Sequence, residues 1–150
     1  MALGSVCLAA TLAAGDALAG SAGNDTGAGY TPDKKAAAAY AKAKAAGADT
    51  RPNPREGDAA AIAAGKDLFV SKCATCHGES ADGKGPAAIA LDPPPASFVD
   101  PTRWAANTPG TRQWIIQNGI QGTGMVPPGI TEDEAWSVLA YLQAAYHPSN

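Results

Sequence analysis

Large apolar residues are spread unevenly along the 150-residue chain, and their spacing divides it into three parts. Of the 21 Leu, Ile, Val and Phe residues, five lie in residues 1–19, none in 20–56 and 16 in 57–150. The last part carries a helical periodicity. Ile62, Gly65, Phe69 and Cys73 recur at intervals of three and four, which places them on one helix face, and Asp58 stands where a helix running to about Lys72 needs its N-cap. Thr131-Glu132-Asp133-Glu134 has the form of a capping box, with three acids at the positive end of the helix that follows. That helix, to about Tyr146, presents Ala135, Val138, Leu139, Tyr141 and Leu142 as an apolar stripe. Thr111 to Asn118 reads as a shorter helix stopped by Gly119. DPPPASFVDP at 92–101 and GTGMVPPG at 122–129 read as loops, and no stretch has a convincing strand pattern. The expected class is all-α.

The other two parts carry different signals. Residues 1–19, MALGSVCLAATLAAGDALA, are apolar and end in Ala17-Leu18-Ala19 before Gly20, a small-x-small cleavage pattern. They read as a secretory leader, with an uncleaved tether as the alternative; Cys7 is taken as part of it. Residues 20–56 have only Tyr30 and Tyr40 with which to bury sizeable apolar surface, so this Ala/Gly/Pro-rich segment cannot fold alone and reads as a linker. Within it, residues 33–46 are alanine-rich with interspersed Lys and end before Gly47, the pattern of a short helix with a stop. A solvated spacer is the first reading, and an arm that orders on a partner is the second. The domain proper is placed at 57–150.

Composition changes this picture in one respect. The apolar fraction of 45% includes 35 alanines, and 21 large aliphatic and Phe residues in 150 are too few for an ordinary core. Something besides side chains must supply it. A net charge of -3, with no basic run longer than Lys34-Lys35, argues against a nucleic-acid partner.

The chemistry that fills the gap sits at Cys73-Ala74-Thr75-Cys76-His77, a C-x-x-C-H signature for attachment of c-type haem. Two thiols three positions apart can add to the two vinyl groups on one edge of the porphyrin, and the adjacent imidazole is then held beneath the iron. Other readings explain less. A thioredoxin-like dithiol needs a βαβ context that is missing, zinc lacks a fourth good ligand, and a simple disulfide leaves His77 without a role. For the sixth position on iron, the remaining soft or imidazole donors are Met1, Met125 and His147. Met125 lies in a Gly- and Pro-framed loop just before the last helix, which suits a ligand folded over the haem; His147 reads as a solvated terminal residue.

These residues resemble class I cytochrome c over about 57–147. Besides the attachment motif, the resemblance rests on AGKDLFVSKCATCHG at 64–78 and GIQGTGMVPPGITEDEAWSVLAYLQ at 119–143. It implies the class I cytochrome c fold, short helices and long loops around one covalently bound haem c, held through Cys73 and Cys76 with His77 and Met125 on the iron. It further implies that Gly65 and Phe69 cross the last helix near Val138 and Tyr141. Gly83-Lys84-Gly85-Pro86 resembles the turn whose proline carbonyl accepts the proximal imidazole N–H, which assigns Pro86 to the haem site. Trp104 and Trp114 are candidates for the pocket wall or for plain apolar bulk, and Arg112 for a propionate partner or a solvated surface residue.

The expected function is that of a periplasmic-type single-electron carrier working between a redox protein donor and acceptor, not an enzyme. A subunit of a larger respiratory or dehydrogenase complex and a peroxide- or gas-reacting haem protein are the alternatives. Membrane association is expected only through an uncleaved leader or such a complex. Residues 57–150 carry five basic and nine acidic residues, so a basic docking face on the partner is expected.

Overall fold

The computed structural model describes Met1 and residues 30–148. The leader expected over residues 1–19, Met1 apart, and residues 20–29 of the expected linker lie outside the described residues. Six α-helices follow in order: α1 (Lys34–Ala45), α2 (Ala59–Lys72), α3 (Ala74–His77), α4 (Pro101–Ala105), α5 (Pro109–Asn118) and α6 (Glu132–Tyr146), with 3₁₀ turns at Ala48–Thr50 and Ala88–Ala90. No strand occurs among the described residues, and none of their helices is long and apolar enough to cross a membrane.

Helix starts follow the local chemistry of the sequence. Asp58 accepts from the amides of Ala60 and Ala61 at 2.9 and 3.1 Å, so α2 begins where its cap is placed. At α6 the capping box closes: Glu134 N–H donates to the Thr131 hydroxyl at 3.2 Å, and Thr131 N–H donates to the Glu134 carboxylate at 2.7 Å. The amide and then the hydroxyl of Thr131, both donating to it, hold the Glu134 carboxyl below the usual carboxylate range. The loop expected over 92–101 is followed directly by α4, a single turn that Asp100 caps and Pro101 starts.

The two long helices α2 and α6 cross at Gly65. A β-carbon there would collide with the Ser137 carbonyl of α6, so only glycine lets the two backbones approach this closely. One turn on, Phe69 is fully buried and meets Tyr141 at 5.8 Å and Phe98 at 6.4 Å between ring centres. Among the described residues Val138 and Leu142 are the other large side chains that are fully buried. Each such burial contributes about 1.5–3 kcal/mol.

The linker expected over 20–56 is corrected over its described part. Residues 33–56 lie against the domain. Ala36, Ala39, Ala43 and Ala48 are buried, and a β-carbon at Gly110 of α5 would collide with the Ala48 carbonyl. Farther along, Arg51 pairs with Glu132 and lies over the Trp136 ring, Asn53 donates to the Trp136 carbonyl at 3.1 Å, and Arg55 pairs with Asp133 at 2.7 Å. The segment needs no large anchors because alanines let its backbone sit close.

The crossing gives a direct test. Gly65→Ala should destabilise the protein by about 1–3 kcal/mol through overpacking, despite the higher helix propensity of alanine. Denaturant unfolding followed by circular dichroism reads this as a lower midpoint; an unchanged or raised midpoint would show that α6 yields at Ser137.

Candidate functional site

Helix α3 follows α2 with only Cys73 between them, and this tight turn gathers Cys73, Cys76 and His77. Its amides of Cys76 and His77 both donate to the Cys73 carbonyl, at 3.1 and 2.9 Å. Its own carbonyls are taken up by the turn after it. Ala87 N–H donates to Thr75, Gly85 N–H to Cys76 and Gly83 N–H to His77, at 2.9, 3.1 and 2.7 Å. The backbone at Gly85 passes so close that a β-carbon would collide with the Ala74 and Thr75 carbonyls.

That arrangement corrects the role expected for Pro86. The Gly83–Pro86 turn is engaged with the α3 backbone, and Pro86 is exposed and outside the cleft described below. The His77 imidazole instead donates through Nδ1 to the Ala96 carbonyl, 2.9 Å away. A carbonyl can only accept, so Nδ1 carries the proton and Nε2 keeps its lone pair. Burial holds the imidazole pKa below its ordinary value, with Arg103 adding to the effect and the Ala96 bond opposing it. The ring is stacked on Phe98 at 4.6 Å. Among the described residues no buried side-chain nitrogen or oxygen lacks a partner, so Nε2, which has none, faces open space.

That space is a cleft lined by Cys73, Cys76, His77 and Met125 together. Cys73 and Cys76 are free thiols, and burial, followed by the neighbouring Cys76, pushes the Cys73 thiol up to about 11. A thiol held neutral in this way is a poor nucleophile for disulfide exchange. Among the described residues no group of three His, Cys, Asp or Glu side chains could hold a metal ion.

Met125 stands on a braced loop. Ile120 N–H donates to the Met125 carbonyl at 2.8 Å, and Met125 N–H donates to the Thr123 hydroxyl at 3.0 Å. Gln117 of α5 donates to the Ile130 and Thr131 carbonyls, both at 3.1 Å, so the far end of the loop is tied back to α5. The cleft walls are apolar: Phe69, Leu91, Ile116, Val138, Leu139 and Leu142 all face it.

The lining also carries polar side chains, among them Tyr40, Arg103 and Arg112. Arg112 lies 3.6 Å from the Trp104 ring centre and donates to the Trp104 carbonyl, and burial lowers its pKa to about 10. Trp104 is thus a wall residue, while Trp114 faces the groove between α1 and the Met125 loop. His147, expected to be solvated, bonds through Nε2 to the Phe98 carbonyl at 2.6 Å and stacks on Trp104 at 4.5 Å.

Sequence reasoning missed Ala96, Tyr40 and Ala36. A main-chain acceptor has no side-chain signature, and neither does a small wall residue; Tyr40 was visible as one of two large side chains in its segment.

An apolar cleft with paired thiols, a neutral imidazole and a thioether on its lining defines a covalent haem protein, and the residues present fit that group. The family model described as Cytochrome c matches residues 62–145, and the chain belongs to the cytochrome c family. Comparison with curated proteins and with solved structures returns no match. Haem c is attached through Cys73 and Cys76.

Attachment is tested on denatured protein made in a host that matures c-type cytochromes. The native chain should keep its haem on a denaturing gel, and Cys73→Ala combined with Cys76→Ala should lose it completely. Haem stain persisting on the double variant would contradict attachment at these thiols.

Proposed function

We propose that this member of the cytochrome c family is a single-electron carrier whose haem iron is held between His77 and Met125. The observation that carries the reading is the common cleft of Cys73, Cys76, His77 and Met125, with the imidazole oriented by the Ala96 carbonyl. When bound, haem supplies an iron that changes by one electron between ferric and ferrous states. His77 contributes a neutral nitrogen donor, made more basic by its bond to Ala96. Met125 contributes a soft thioether that favours the ferrous state and so a higher potential than a second imidazole would give. With both positions taken, no site for substrate remains on iron, which favours electron transfer over an enzymatic role.

Arg103 and Arg112 on the lining suit the carboxylates of the cofactor. Arg112 has no carboxylate partner among the described residues, and its half-buried guanidinium lies on the cleft lining against Trp104. Apolar walls keep reorganisation on electron exchange small.

Donor and acceptor are other redox proteins. The acidic excess of residues 57–150 favours a basic docking face on one of them, engaged away from the lysines of α1. The compartment is the periplasm or its equivalent, where thioether attachment is made. Cleavage after Ala19 accounts for the small-x-small pattern there, and the mature protein should begin near Gly20 by N-terminal sequencing or intact mass. Recovery of haem-loaded protein that starts at Met1 would favour a retained tether.

Ligation by Met125 separates a carrier from a ligand-binding haem protein. The oxidised native protein should show the weak near-infrared band of sulfur-to-iron charge transfer. Met125→Ala should abolish that band, lower the potential by on the order of 100 mV or more, and let carbon monoxide bind the reduced iron readily. Fast carbon monoxide binding by the native protein, unchanged in Met125→Ala, would make a gas- or peroxide-reacting protein the better reading.

A further inference from the structure

The segment before residue 57 touches the Met125 loop at Gly122 and also lies on α5 and α6, the helices before and after it. Lys35 of α1 donates from Nζ to the Gly122 carbonyl at 2.7 Å, three residues before Met125. On the flank before the loop, the Ala48 carbonyl sits on α5 at Gly110, a contact that any side chain at 110 would block. On the flank after it, Arg51, Asn53 and Arg55 hold the first turns of α6 at Glu132, Trp136 and Asp133. The same segment also reaches the cleft, through Asp33, Ala36 and Tyr40. Tyr40 shares a hydrogen bond of 3.3 Å with Tyr30, whose ring lies under Arg103 at 4.6 Å.

We propose that residues 33–55 are a strap that holds the Met125 loop closed on the haem cleft, with Lys35 as its positioning residue. The proposal rests on Met125 being an iron ligand. A thioether is a weak donor, so how often it leaves the iron depends on how easily its loop opens. Opening lifts residues 120–126 away from α5 and α6 and breaks the Lys35 bond to Gly122. Surface ion pairs such as Arg55–Asp133, with side chains 41% and 62% exposed, contribute little alone. The main hold is therefore the buried alanine face of α1, which brings the Lys35 ammonium onto a main-chain carbonyl. Losing this one bond, which is exposed, raises the open fraction several-fold.

The test uses the full haem-loaded chain. Ala39 is buried beneath α1 at 6% exposure, whereas Ala41 on the same helix is exposed. Ala39→Glu should force the strap off without altering any loop or ligand residue, and Ala41→Glu is the control. Lys35→Met removes the ammonium and keeps most of the stem; Lys35→Arg restores a donor. Three readouts are taken: the near-infrared band, the rate of imidazole binding to the oxidised iron, and protease cleavage within 33–56.

Ala39→Glu should become cleavable there, weaken the band and bind imidazole at least tenfold faster. Lys35→Met should bind it several-fold faster, and Lys35→Arg and Ala41→Glu should match the native protein. A cleavable Ala39→Glu variant with native band and native binding rate overturns the strap. So does Lys35→Met at the native rate, whether or not Ala39→Glu undocks. Absence of the band from the native protein itself overturns Met125 ligation, a different failure, and the strap falls with it.

Discussion

The missing side chain at Gly65 lets α2 lie directly on the Ser137–Val138 backbone of α6, and the positions of the other elements follow from that approach. Because α3 continues from α2 across the single residue Cys73, seating α2 also fixes where Cys73, Cys76 and His77 emerge. Because Val138, Leu139 and Leu142 lie on α6 beyond the contact, the same seating puts an apolar wall beside the thiols. A wider crossing would separate wall from attachment point and leave a gap at Phe69, which is now fully buried.

What the crossing produces is half a core. The buried cluster around Phe69, Trp136, Val138, Leu139 and Leu142 is small for a chain of this length, and further apolar side chains, Leu91, Ile115 and Ile120 among them, line the cleft. This resolves the shortage of large aliphatic residues: haem c, joined at Cys73 and Cys76, supplies the missing apolar body. The outer layer uses a different economy of volume. Helix α1 is built of alanines that bury almost nothing individually, yet they let it lie close on the domain, with the 3₁₀ turn after it settled on α5 at Gly110 and Tyr40 placed in the cleft.

Much of this was legible in the residues. Asp58 and Thr131 mark helix starts by side-chain bonds that any such residue forms at an amide-rich terminus, whereas α5, expected from Thr111, begins at Pro109 behind the cap Thr108; the spacing of Ile62, Gly65 and Phe69 shows which face of α2 turns inward. The thiol pair and His77 announce their chemistry by type and spacing alone. The docking of residues 33–56 was hidden, because Ala36, Ala39 and Ala43 do not differ in kind from exposed Ala37, Ala38 and Ala41. Trp136 was left off the apolar stripe of α6 because its cover, Arg51, comes from 85 positions earlier in the chain. Trp104 and Trp114 were equivalent candidates; only the fold turns one to the cleft and the other to α1.

The choice of Ala96 as the acceptor for His77 has a consequence for how this site can change over time. The bonding atom is a main-chain oxygen, so the methyl group at position 96 takes no part in it, and a different side chain there would leave the bond intact wherever it fits. What the imidazole depends on is the course of the preceding backbone, and Pro93, Pro94 and Pro95 restrict that course through their rings. The electron-donating strength of a histidine is thus inherited as three restricted torsion angles. Drift at position 96 would pass unnoticed by the imidazole, while loss of a proline two or three residues away would reach it.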